Sequence, residues 1–166
     1  MKAGFKGQPA ELYEPVEYML SMGGKRMRPV LLLMGCELFG GNIEEAVNPA
    51  VGIELFHNFT LAHDDIMDKA LIRRSNPTVH TKYDTNIAIL SGDVMLVLAY
   101  KYISNVRTNI MKDIVEVIIK TAIKVCEGQQ FDMNYESRGD VNVSDYIKMI
   151  ELKTAVLLGG SLKIGA

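Results

Sequence analysis

Cysteine is scarce in this sequence: Cys36 and Cys126 are the only two, and they form no close-spaced motif. That argues against a disulfide scaffold and makes a reducing cytoplasm the expected setting. Positive charge is not in excess either. Eighteen Lys and Arg against 20 Asp and Glu give a formal net charge of −2, whereas a nucleic-acid binder normally shows a basic surplus or stripe. No apolar run comes near the roughly 20 residues that span a bilayer, so no transmembrane segment is expected. The opening Met1 to Lys6 carries no apolar leader stretch. Repeats, low-complexity tracts and linkers are also missing. Any affinity for anions must therefore come from local clusters.

What is present is enough apolar material for one compact domain: 166 residues, 48% of them hydrophobic. Helical periodicity dominates, punctuated where helix ends belong. A short helix over about Leu12 to Met22 stops at Gly23-Gly24, and Pro29 suits the first turn of the next, which runs to Gly40-Gly41. A longer helix spans about Glu44 to Lys69, bent around Pro49, with Val51, Leu55, Phe59 and Ala62 recurring at three- and four-residue steps. Ala70 to Asp84, with Pro77, reads as a loop. Helices then fit Asn86 to Ser104, Ile110 to Tyr135 and Ser144 to Ile164, with a turn at Ser137 to Asn142. Within that turn, Arg138-Gly139-Asp140 reads as loop chemistry and not as an adhesion motif. No segment alternates with period two long enough to be a strand, so the expected class is all-α, in a single domain over residues 1–166.

The informative stretch runs from His57 to Asp68, ending Ala62-His63-Asp64-Asp65-Ile66-Met67-Asp68. On a helix Asp64 and Asp68 share a face one turn apart, and Asp65 lies three residues from Asp68. Three carboxylates in one turn repel each other, a cost that makes sense if a hard cation sits between them. Mg²⁺ prefers oxygen ligands and is often held by one or two carboxylates together with substrate phosphates. The alternative is a solvated acidic patch, weakened here because the triad closes a largely apolar helix.

A metal site that handles phosphates needs cationic partners, and two clusters offer them. Lys25, Arg26 and Arg28 lie between Gly23-Gly24 and a helix N-terminus, where free N–H groups and the helix dipole favour anions. Arg73-Arg74 follow Asp68 by five and six residues, and arginine forks suit bidentate phosphate contacts. Each cluster alone is more often solvated surface; with the aspartates they make a balanced set of opposite charges.

At this point the sequence resembles the trans-polyprenyl diphosphate synthases, the family of the farnesyl and geranylgeranyl diphosphate synthases. The resemblance rests on Gly24-Lys25-Arg26-Met27-Arg28-Pro29, on His57 to Asp68, on Arg73-Arg74 with Pro77-Thr78-Val79-His80, and on Gly92-Asp93. Gly128-Gln129 with Asp132, and Lys153-Thr154, agree as well. It implies an isoprenoid synthase-type helical bundle, here truncated before the C-terminal helices. Asp64, Asp65 and Asp68 would be the first aspartate-rich motif, binding Mg²⁺ that grips an allylic diphosphate. Arg73 and Lys153 would contact that diphosphate. Lys25, Arg28, His57 and Arg74 would hold isopentenyl diphosphate. Gln129 and Thr154 would line the reaction centre, with Asp132 near the metal side. A homodimer is expected by the same resemblance. Ser75 departs from the glycine usual after the arginine pair, a change expected to be tolerated.

No second Asp-Asp-x-x-Asp follows Asp68 up to Ala166. The expectation is therefore a part of a longer protein or a degenerate relative, impaired in turnover by itself. Family resemblance ties chain length to bulky residues before the aspartates, which singles out Phe59, five positions before Asp64, and a short-chain product. A helical wheel separates the two by roughly 140°, so spacing alone leaves Phe59 equally readable as core. Two rivals remain: an HD-type phosphohydrolase, suggested by His63-Asp64 with His57 nearby, and a non-catalytic helical interaction subunit.

Overall fold

The structure, a computed structural model, describes residue 5 and residues 7–166. Met1 to Gly4 and Lys6, on which the reading of the opening stretch falls, lie outside the described residues. The helices are α1 (Ala10–Ser21), α2 (Met27–Leu38), α3 (Ile43–Met67), α4 (Val79–Lys82), α5 (Thr85–Ile103), α6 (Thr108–Glu136), α7 (Val143–Ile150) and α8 (Val156–Gly165). A single π turn, Glu151–Ala155, joins α7 to α8. The strands among the described residues are the two-residue β1 (Ile72–Arg73) and β2 (Asn76–Pro77), paired antiparallel. The all-α class is what the structure shows.

The chain divides into two compact units. In the first, residues 7–26 and 52–101, the core is built from Val16 and Met19 of α1, Ile53, Leu55, Phe56 and Ala62 of α3, Val79 of α4, and Ala88, Met95 and Ala99 of α5. Those α3 positions follow one another at steps of two, one and six residues, the broad apolar face of a helix covered on more than one side. In the second unit, residues 27–51 and 102–166, Leu32 and Cys36 of α2, Ile118 and Val125 of α6, and Leu157 and Ile164 of α8 are buried, and α2 packs closely along α8.

Three local readings are corrected. The loop expected over Ala70 to Asp84 contains the β1–β2 hairpin and α4. Its turn places both Arg74 (φ 51°) and Ser75 (φ 64°) in the left-handed region, the pair of conformations a tight two-residue hairpin requires. Ser75 thus stands where glycine would carry no Cβ penalty. The helix expected as continuous from Ser144 to Ile164 is interrupted by the π turn. It starts from a capping box, in which the Asn142 side chain accepts from the Asp145 N–H and Asp145 accepts from the Asn142 N–H. Finally, α5 is by length and composition long and apolar enough to cross a membrane; a helix contributing to a protein core meets the same criterion. In the turn before α7, Arg138 and Asp140 pair with each other through two 2.8 Å bonds.

Candidate active site

The end of α3 carries the acidic cluster, and β1 brings a cation to it. Asp65 is 1% exposed, a position where an ionised carboxylate needs a charged, hydrogen-bonding partner. Arg73 supplies one. Its Nε donates to both Asp65 oxygens at 2.8 Å, and its Nη2 lies 2.7 Å from Asp65 Oδ1 and 3.5 Å from Asp64 Oδ2. Burial by itself lowers the Arg73 pKa, but the hydrogen bond it donates to Asp65 and the charges of Asp65, Asp64 and Asp68 outweigh it and raise the guanidinium above its ordinary value. Arg73 remains a cation here at any working pH.

Asp64 is half-buried and Asp68 exposed, one helical turn further on, with the Asp68 N–H donating to the Asp64 carbonyl at 2.9 Å. Among the described residues no group of three or more His, Cys, Asp or Glu side chains converges on one point as a ready cage. The donor set that remains is two carboxylates on one face, Asp64 and Asp68, beside a third already neutralised by Arg73. That set fits Mg²⁺, which keeps several waters and is commonly completed by substrate phosphate oxygens. It does not suit an HD-type centre, which needs converging histidines. His63 is instead engaged elsewhere: its ring packs edge-on to Phe59 (centroids 4.8 Å apart), its Nε2 donates to the Ile89 carbonyl at 3.2 Å and lies 3.8 Å from Asp93. Phe59 is half-buried between His63 and Phe56, whose ring centroid is 5.6 Å away.

The same unit holds the first basic loop. Gly23 and Gly24 have φ of 79° and 139° and Arg26 a φ of 51°. Lys25 is exposed between them. Arg74 reaches this loop: its Nη1 donates to the Gly23 carbonyl, and its guanidinium packs on Gly24 so closely that a β-carbon there would lie 2.8 Å from Nη1. The backbone angle at 24 favours glycine, which carries no Cβ penalty there. Desolvation, and next the charge of Arg26, lower the Arg74 pKa from its ordinary value. His57 is half-buried on α3, its carbonyl accepting from Thr60 Oγ1 at 2.8 Å.

The second unit holds the other candidates. Arg28 is half-buried in the first turn of α2. On α6, Gln129 is half-buried and Asp132 accepts a hydrogen bond from the Lys153 ammonium of the π turn; Thr154 beside it is exposed. The turn lies close because Gly128 has no side chain: a β-carbon would collide with the backbone of Leu152 and Lys153. π turns inside helices often mark functional positions.

One carboxylate escapes the motif reading. Glu54, 2% exposed, receives a hydrogen bond from Arg26 and another, at 3.0 Å, from the fully buried Asn58. The available signal was a lone carboxylate inside the apolar run Val51 to Phe56.

An all-helical fold with paired carboxylates closing one long helix and an arginine forked onto them is that of the isoprenoid-synthase type of helical bundle. The chain belongs to the Polyprenyl synthetase family, which matches residues 9–166. It is 43% identical over 161 residues to a geranylgeranyl diphosphate synthase of Methanosarcina mazei, covering 96% of this chain and 50% of that one. It is 41% identical over 159 residues to a short chain isoprenyl diphosphate synthase of Methanothermobacter thermautotrophicus, covering 95% and 49%. A crystal structure of a geranylgeranyl pyrophosphate synthase superposes with a TM-score of 0.94 at 49% identity, over 97% of this chain and 49% of that one. The chain thus spans about half the length of the curated relatives it matches.

Proposed function

We propose that the chain serves a prenyltransferase that condenses isopentenyl diphosphate with an allylic diphosphate to give a short-chain trans-polyprenyl diphosphate. The observation that carries this reading is Arg73 forked across Asp65 and reaching Asp64, with Asp68 one turn on. Such an arrangement keeps Arg73 charged and sets the Asp64 and Asp68 carboxylates one turn apart as donors for Mg²⁺. When bound, the ion would supply positive charge opposite a departing diphosphate. The residues themselves do the rest. Arg73 fixes the Asp64–Asp65 turn and adds a preorganised cation near the leaving group, where charge builds in the transition state. Lys25, Arg28, His57 and Arg74 are proposed for the second diphosphate, and Lys153, Gln129 and Thr154 for the reaction centre. The allylic cation formed by ionisation is attacked by the double bond of isopentenyl diphosphate, and the proton released goes to the freed diphosphate. Apolar walls keep out water that would quench the cation. Phe59 is proposed to limit product length.

We further propose that the protein acts in the cytoplasm as a homodimer, supported by exposed apolar side chains on single helices: Leu90 and Val97 of α5, and Ile119 and Ile123 of α6.

Incubation with Mg²⁺, isopentenyl diphosphate and geranyl or farnesyl diphosphate, followed by mass spectrometry, tests the reading. Elongated product from the chain that is absent in an Asp64→Asn/Asp68→Asn variant would support the reading. Product formed equally by that variant would sink the role given to the aspartates. No product from either would show that these 166 residues do not suffice for turnover, as the expectation of impairment has it.

A further inference from the structure

The motif reading treats Arg26 as one more surface cation of the basic loop, but its charge is turned inward. Its Nη1 donates to Glu54, and its Nη2 donates to the Leu20 carbonyl at 2.8 Å. Glu54 is 2% exposed, and a carboxylate so buried is costly unless paired and hydrogen-bonded. Asn58, fully buried, completes the set: its Nδ2 donates to Glu54 Oε1 at 3.0 Å and to the Glu54 carbonyl at 2.7 Å. Arg26 thereby ties the end of the loop to the last turn of α1 and to the middle of α3.

The backbone records the same constraint. A left-handed conformation is rare for arginine and persists only where surrounding contacts over-determine it; Arg26 has a φ of 51°. Arg74, also at 51°, clamps the other end through the Gly23 carbonyl. The positive charge of Arg26 lowers the Arg74 pKa from its ordinary value, and the Glu54 charge acts in the opposite sense.

We infer that Arg26, Glu54 and Asn58 are positioning residues: a buried ion pair that fixes the Gly23–Arg26 loop so that Lys25 and Arg74 face one anion. This rests on the reading of the loop as a diphosphate site and adds to it residues that touch no substrate. The consequence is a reversal of sign. If the loop bound anions by charge alone, removing the Glu54 carboxylate would strengthen binding. As a positioning residue, its removal must weaken it.

The test is isothermal titration of the chain with inorganic pyrophosphate, beside the rate of tryptic cleavage after Lys25 and Arg26. Lys25→Ala identifies binding at this loop. Glu54→Gln is expected to weaken pyrophosphate about tenfold, the scale of one lost charge-assisted hydrogen bond, and to speed cleavage. Arg26→Met/Glu54→Gln is expected to be no worse than either single change, since the residues act as a unit. Should Glu54→Gln fail to fold by circular dichroism, Glu54→Asp keeps the charge but shortens the reach, and the same weakening is expected. Pyrophosphate binding by the folded variant as tight as, or tighter than, wild type overturns the inference. Binding absent in wild type, or unaffected by Lys25→Ala, removes the diphosphate reading of the loop. In that case cleavage decides the clamp: an unchanged rate in Glu54→Gln overturns it, and a faster one supports it.

Discussion

Arg73 shows how one side chain can serve stability and site chemistry at once. Asp65 is buried and its charge is answered by Nε and Nη2 of the Arg73 guanidinium. Truncation would leave an uncompensated carboxylate, a change that typically costs several kcal/mol. Arg73→Ala is therefore expected to lower unfolding free energy by about 3 kcal/mol in urea denaturation. Arg73→Lys should recover part of that loss, since a point charge answers the carboxylate without the fork. A loss within about 0.5 kcal/mol, the range of ordinary surface substitutions, would show that the fork contributes little. Arg74, next in sequence, does different work: it is exposed and holds a loop carbonyl, so identical residue types split between structure and surface.

At the level of elements, the π turn between α7 and α8 depends on how near α6 comes. Gly128 lets the backbone of Leu152 and Lys153 approach to a distance that no side chain would permit, and the Lys153–Asp132 pair follows from that approach. Gly128→Ala gains helix propensity on α6 but overpacks the contact, and overpacking of this kind costs about 1–3 kcal/mol. The expected outcome is a net loss of thermal stability in calorimetry, together with a displaced Lys153 in a crystal structure of the variant. A variant as stable as the parent, with Lys153 in place, would mean the turn yields easily.

For the molecule as a whole, the exposed apolar side chains of α5 and α6 argue for a partner surface, because scattered single residues need no explanation but repeated ones along a helix do. Sedimentation equilibrium is expected to give twice the 18.4 kDa chain mass. A single 18.4 kDa species at micromolar concentration would remove the homodimer.

Much of this was legible in the residues. Helical periodicity located α1, α2, α3, α5 and α6 within a few residues, because glycine stops and apolar spacing act locally. Helical spacing likewise put Asp64 and Asp68 one turn apart: Asp64 lies in α3, and Asp68, just past its end, still donates its N–H to the Asp64 carbonyl. The hairpin was hidden because Arg74-Ser75 takes left-handed angles that neither residue advertises. The close approach at the π turn was hidden because Gly128, which permits it, sits more than twenty residues away in the chain. What the sequence determined by itself is the order of helices and the types of charge at their ends, which depend on neighbours within a turn. Which charges face inward was decided only by tertiary structure. Arg26 and Arg73 are set apart from Lys25 and Arg74 by where buried Glu54 and Asp65 lie. A buried carboxylate selects its partner by proximity in space, and spacing along the chain does not encode that.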